Sequence, residues 1–115
     1  MWHVTLTVAG DRQPLKASEA AMLRFQQERP FLHSLRYDEC RVEFAYWEEA
    51  GSVIDAASLA LRVWDEHRDS SGLPPWQVVG LEVVDLETFQ GRQSTPALVP
   101  AQAVPRRFAR LEAAR

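Results

Sequence analysis

FLHSLRYDECRVEFAYWEE, residues 31–49, alternates polar and apolar side chains on both sides of a central turn, and this pattern predicts a β-hairpin. The register that places Tyr37 opposite Cys40 brings the apolar side chains of both arms to one face. A shift by one residue would divide them between the faces, because side chains on a strand alternate with a period of two. We therefore predict an even-length loop at Asp38, of four residues, since Asp-Glu is not a favoured two-residue turn.

Further elements flank the hairpin on both sides. Residues 2–8, WHVTLTV, alternate without interruption and predict a first strand. A helix at about residues 16–29 is ended by Pro30, because proline has no amide donor and restricts the residue before it. A second helix begins at Ser52 and ends at the SSGLPP segment, and a last strand follows at about residues 76–85. The predicted order is β-α-β-β-α-β.

The second helix has two distinct faces in the sequence. Its apolar stripe, which we expect to face the core, consists of Ile54, Ala57, Leu61 and Trp64. His67 lies in the last turn, where a cation interacts favourably with the helix dipole.

The last predicted strand has apolar side chains on both parities. Trp76, Val78 and Val84 share one parity, whereas Val79, Leu81 and Val83 share the other. A strand that is apolar on both faces is usually covered on both. Gly80 interrupts the strand and predicts a bulge. We therefore expect one apolar row of this strand to lie on the face of the sheet that the helices leave open.

The element order predicts an α+β fold, a ferredoxin-like sandwich. Two right-handed crossovers place both helices on one face of a four-stranded antiparallel sheet, with the first and third strands at its centre. Over residues 1–90 this pattern resembles the small ferredoxin-like βαββαβ proteins of the dimeric α+β-barrel type, and the segment LPPWQVVGLEVVDLETF, residues 73–89, is similar to uncharacterised proteins of GC-rich bacteria. The resemblance implies pairing through the sheets. Some members are oxygenases or bind heme, metals or amino acids, but none of their site motifs is matched.

Composition excludes several classes of function. The chain has 115 residues and a net charge of −3, so one domain is expected and a nucleic-acid partner has no global electrostatic support. Cys40 is the single cysteine, which excludes an intrachain disulfide and thiolate metal clusters. The sequence predicts no signal peptide, no membrane span, no metal and no cofactor, and the cytoplasm is the expected compartment.

The charge distribution divides the chain into two parts. Residues 1–91, the predicted ferredoxin-like domain, have a net charge of −7, whereas residues 92–115, a tail rich in Pro, Ala and Arg, have a net charge of +4. The tail is expected either to be extended and weakly ordered or to dock Phe108 and Leu111 on an apolar patch of this chain or a second copy. It is also the expected contact for any other protein partner.

The open sheet face is the expected binding site. Its candidate ligand-binding residues are His3, Arg36, Glu43 and Trp47. By parity, His3 and Glu43 share this face, either as a base with its orienting carboxylate, as part of a metal site, or as a structural cross-strand pair. His33, which has the core-facing parity, and His67 are interpreted as structural.

Two classes of function are compatible with these patterns. The first is a non-enzymatic binding or assembly module that forms a homodimer through its open face or last strand. Its candidate interface residues are Trp76, Val78, Val84, Phe108 and Leu111. The alternative is a small ligand-binding protein or enzyme with its site between two facing sheets.

Overall fold

In the part of the chain that the structure describes, the protein has an α+β fold with a four-stranded antiparallel sheet and three helices. The computed structural model describes residues 1–71 and 74–94, so Phe108 and Leu111 lie outside the described residues. In chain order the elements are β1 (Trp2–Ala9), α1 (Leu15–Glu28), β2 (Ser34–Tyr37), β3 (Arg41–Glu48), α2 (Val53–Ser71), β4 (Gln77–Asp85) and α3 (Leu86–Ser94).

The order of strands across the sheet is β2-β3-β1-β4, which confirms the predicted central position of β1 and β3. In the hairpin, Tyr37 lies opposite Val42, two residues from the predicted register. An even displacement keeps every side chain on its predicted face. The Asp38 carboxylate accepts a hydrogen bond of 2.8 Å from the Cys40 N–H and so stabilises the turn. This hydrogen bond also lowers the pKa of Asp38.

The core lies between one face of the sheet and helices α1 and α2. The buried strand residues are Val4, Leu6 and Val8 of β1 and Val42, Phe44 and Tyr46 of β3. Phe25 of α1 packs edge-to-face on Phe44 with ring centroids 4.8 Å apart, and Trp64 of α2 stacks on Phe44 at 6.4 Å. Both helices therefore cover the same face, as predicted.

Helix α2 is rotated from its predicted orientation. Ala56, Ala60 and Trp64 are fully buried, whereas Ile54 is 73% exposed and Leu61 is 43% exposed. The prediction that Ile54 and Leu61 face the core was therefore wrong. Small alanine side chains let the helix approach the sheet closely, and Trp64 donates a hydrogen bond of 2.7 Å from its indole N–H to the backbone carbonyl of Trp76.

A β-bulge explains the two apolar parities of β4. Thr7 of β1 lies opposite Gly80, but the next residue, Val8, lies opposite Val78. Val79 is thus the extra residue, and it reverses the alternation of side chains along the strand. The bulge predicted at Gly80 is confirmed at its neighbour.

The bulge turns the apolar side chains of β4 towards the helices. Val78 and Val83 pack on the core, and Leu81 lies opposite the buried Leu6. The prediction of a full apolar row on the open face was wrong. In the described part of β4, we assign one apolar residue to that face, Val84, which lies opposite His3.

Trp76 is 1% exposed in the core, and it donates an indole hydrogen bond of 2.8 Å to the carbonyl of Asp11. Trp76, a candidate interface residue, is therefore not exposed at the surface of this chain. Its buried position immediately before β4 also brings it against Gly10.

Helix α3 follows β4 directly. The Asp85 carboxylate accepts a hydrogen bond of 2.7 Å from the Thr88 N–H, as an N-cap does, and this contact lowers the pKa of Asp85. The Leu86 N–H donates a hydrogen bond of 3.0 Å to the carbonyl of Met1. The first residues of the predicted tail, 92–94, belong to this helix and are not extended. The helix lacks a long apolar stripe that periodicity could have detected, and its contact with the sheet depends on Phe89.

Candidate functional site

The open face is the side of the sheet turned away from α1 and α2. The strand residues that we assign to it are His3, Thr5 and Thr7 of β1, Ser34 and Arg36 of β2, Glu43, Ala45 and Trp47 of β3, and Glu82 and Val84 of β4. All four predicted ligand-binding residues are among them. They form two separate groups, one at each end of the face.

The first group is an aromatic cluster beneath α3. His3 lies opposite Trp47 in the β1–β3 pairing, and their ring centroids are 4.9 Å apart in an edge-to-face arrangement. Phe89 of α3 lies 4.3 Å from the His3 ring and 5.0 Å from the Trp47 ring. As a result, His3 is only 7% exposed. Helix α3 thus covers this end of the open face.

The cluster includes a second histidine. The Nε2 atoms of His3 and His33 are 2.7 Å apart, a distance at which one imidazole donates a hydrogen bond to the other. His33 was predicted to face the core, and this prediction was wrong. Alternation applies within a strand, and β2 begins one residue later, at Ser34. The His33 side chain therefore reaches the open face, while its backbone N–H donates to the carbonyl of Ala45 at 3.0 Å.

Burial lowers the pKa of His3, and the neighbouring His33 lowers it further, while the carboxylate of Glu82 acts in the opposite direction. The ordinary value for histidine is 6.5. His3 is therefore neutral at pH 7, so one nitrogen of its ring is a hydrogen-bond donor and the other is an acceptor.

The second group is an ion pair at the other end of the face. The Arg36 guanidinium contacts the Glu43 carboxylate across β2 and β3, and this hydrogen bond raises the pKa of Arg36. The pair lies at an open depression of about 270 Å³, whose other lining residues are Tyr37, Asp38 and Arg41.

The predicted pair of His3 and Glu43 does not form. Glu43 lies opposite Thr7, four positions along β1 from His3. Four residues of a strand span about 13 Å. The hypothesis of a base oriented by Glu43 was therefore wrong, and Glu43 is in a cross-strand pair with Arg36 instead.

His67 is buried between the helices. Its side chain is fully buried, and its Nδ1 atom lies 2.7 Å from a carboxylate oxygen of Glu28. Burial lowers the pKa of His67 despite the carboxylate, which disfavours the expected cation in the last turn of the helix. Its contacts with α1, which include the Phe25 ring at 4.3 Å, agree with the predicted structural role.

The outer side of β4 is a further candidate surface. Among the described residues, no strand pairs with this edge of the sheet. Val79 is 63% exposed and Leu81 is 37% exposed along it. A depression of about 370 Å³ between β4 and α2 is lined by Leu61 and Val78, together with polar residues. We call Leu61, Val78, Val79 and Leu81 the β4 flank.

Two further properties hold for the part of the chain that the structure describes. No group of three or more His, Cys, Asp or Glu side chains in it could hold a metal ion. None of its helices combines the length and apolar character that crossing a bilayer requires.

The chain matches a known family of domains. A family model described as "Domain of unknown function (DUF8830)" matches residues 1–99, and the matched part includes all seven elements. No curated protein matches the chain.

Proposed function

We propose that this chain, which belongs to the DUF8830 family of domains of unknown function, is an assembly module. It forms a homodimer through β4. We assign its fold to the ferredoxin-like group. The strand order β2-β3-β1-β4, with an α-helical connection after β1 and another after β3, supports this assignment.

The observation that supports dimerisation most directly is the outer edge of β4. This strand is nine residues long, and its outer backbone N–H and C=O groups face away from β1. An exposed edge of this length can pair with another strand, and proteins often protect such edges with lysine, proline or a bulge. The sequence of β4, QVVGLEVVD, contains neither residue.

The side chains beside this edge support the same proposal. Leu61, Val79 and Leu81 are exposed apolar residues of the β4 flank. Antiparallel pairing of two β4 strands about a twofold axis would join the two sheets and bring the two flanks together. Burial of apolar area would then add about 25 cal/mol per Å² to the backbone hydrogen bonds. The bulge at Val79 confines regular pairing to the part of the strand that follows it.

Substitution of Val79 tests the proposal. Because Val79 is 63% exposed, V79K is expected to fold normally and to weaken the dimer at least about tenfold, since it replaces an exposed apolar side chain of the β4 flank with a charge that the dimer would bury. Sedimentation equilibrium at micromolar concentration measures the molar mass in solution, which for a dimer is twice the 13.1 kDa mass of the chain, and gives the dissociation constant of the dimer. The matched control is L23K, which places the same charge at an exposed leucine of α1, 53% exposed. A monomeric wild-type chain, or a V79K dimer of unchanged affinity, would reject the proposal.

A second candidate function is the binding of a small ligand on the open face. It is favoured by the arrangement in which α3 covers the end with His3, while Thr5, Thr7 and the Arg36–Glu43 pair remain partly accessible. Shifts of the backbone amide signals on titration with small fragments test it. Shifts confined to open-face residues support binding there, and unchanged signals at millimolar fragment concentration reject it.

A further inference from the structure

We propose that His3 and His33 form a proton-dependent catch, which holds α3 on the open face and releases it when both imidazoles are protonated. The two rings meet head-on, with their Nε2 atoms 2.7 Å apart and their centroids 4.9 Å apart. Release would uncover the end of the open face that α3 covers. This inference is independent of the proposed dimer, because neither α3 nor the two histidines belong to the β4 flank.

The hydrogen bond between the two rings tolerates one added proton but not two. In the neutral pair, one Nε2 atom donates its hydrogen and the other accepts it. A first added proton can be held on an Nδ1 atom, so the contact between the Nε2 atoms remains. After a second proton, both Nε2 atoms carry hydrogens, and two positive charges repel one another across 2.7 Å. The rings must then separate.

The two histidines differ in their access to water. His33 is exposed in the connection that precedes β2, so its charged ring can turn away into solvent. His3 is 7% exposed, and the Phe89 ring of α3 covers it at 4.3 Å. A charged imidazole in this position lacks the hydration that favours its charged form. Lifting of α3 supplies that water, because the strands on either side of His3 are fixed within the sheet.

Helix α3 depends on this cluster for its position. It has nine residues, and a helix of that length is not stable on its own in water. The ring contacts that the structure describes between α3 and the sheet are those of Phe89 with His3 and Trp47. Charging His3 therefore acts directly beneath the aromatic anchor of the helix.

The charges around the pair couple α3 to the same protons. Burial and His33 lower the pKa of His3, whereas the carboxylate of Glu82 in β4 raises it. This carboxylate also pairs with Arg92 of α3 at 3.2 Å. When His3 is positive, Glu82 is shared between two cations, so its hold on Arg92 weakens. The aromatic neighbours of His3 from β3 and α3 are uncharged.

Amide hydrogen exchange of the full chain tests the catch. It is measured by NMR from about pH 7 to about pH 5 and corrected for the intrinsic exchange rate of each amide. The protection of the α3 amides should fall at least about tenfold more than that of Leu6, which lies in the central strand β1 and reports global unfolding. Each proton taken up on opening can contribute at most about tenfold per pH unit.

H33Q removes the second charge and keeps the contact. The glutamine amide oxygen can still accept a hydrogen bond from protonated His3, and His33 is exposed, so the variant is expected to fold. The protection of α3 in H33Q should depend on pH no more than that of Leu6. H67Q is the matched control, because His67 is the remaining histidine of the chain and contacts α1. It should retain the wild-type response of α3.

Three results would overturn the proposal. In the first, α3 and Leu6 lose protection equally in the wild type while the Cε1 protons of His3 and His33 titrate, because the cluster would then accommodate both charges. In the second, H33Q shows the same additional fall in α3 protection as the wild type, so release needs no second charge. In the third, folded H67Q lacks the response, which would assign it to the other end of α1.

Discussion

Replacing Phe89 with alanine is expected to raise the pKa of His3. Burial is the largest cause of the lowered pKa, and the Phe89 ring, 4.3 Å from the imidazole, is the contact from α3 that buries it. In F89A, water reaches His3, and its pKa moves up towards 6.5. The pKa should stay below that value as long as His33 remains beside it, because a second positive charge there is unfavourable.

The same substitution should destabilise the fold moderately. Phe89 makes ring contacts with His3 and Trp47, and each aromatic pair contributes about 0.5–1.5 kcal/mol. We therefore expect F89A to lower the free energy of unfolding by about 1–3 kcal/mol, less than the 3–5 kcal/mol typical of a fully buried phenylalanine, because Phe89 is half-buried.

The assay follows the Cε1 proton of each histidine by NMR during a pH titration, and urea denaturation measures stability. L86A is the matched control, since Leu86 begins the same helix, is 41% exposed and has no ring contact with His3. It should leave the pKa of His3 unchanged. A pKa of His3 that stays the same or falls in F89A, while the protein remains folded, would refute the role of α3 packing in burying this histidine.

Two further predictions concern the core. G10A should lower the free energy of unfolding by about 1–3 kcal/mol, because a Cβ atom at Gly10 would lie 2.3 Å from Cδ1 of Trp76. In urea denaturation, the control G91A should be neutral or stabilising, because an added Cβ atom there would meet no other atom within 4 Å. The folded chain should lose stability as the pH falls below 6.5, since His3 and His67 have lowered pKa values and the unfolded chain takes up these protons first. The loss of stability is at most about 1.4 kcal/mol per pH unit for each histidine. Urea denaturation at several pH values from 5 to 8 measures this loss, and H67Q should show a smaller one.

Most of the sheet could be predicted from the sequence, because alternation is a local property. The hairpin faces were correct although the register was displaced by two residues, since an even displacement leaves every side chain on its own face. The central position of β1 and β3 followed from the order of elements and the handedness of crossovers.

The candidate site was predictable only in part. His3 and Trp47 were correctly expected to share a face, and they are cross-strand neighbours. His33 was assigned to the opposite side, because parity does not continue past the end of a strand. Phe89 was missed, because a short helix with few apolar residues has little periodic signal.

What the sequence determined by itself is therefore the set of strands and the side of the sheet that each residue within a regular strand faces. Tertiary structure alone decided where that rule stops. The extra residue at Val79 reverses the faces of β4, so that valines on both parities reach one core. The rotation of α2 follows from how Trp64 fits between Phe44 and the carbonyl of Trp76, a contact between residues distant in the chain. Local periodicity has no information on such long-range fits, because they depend on the shape of the partner surface.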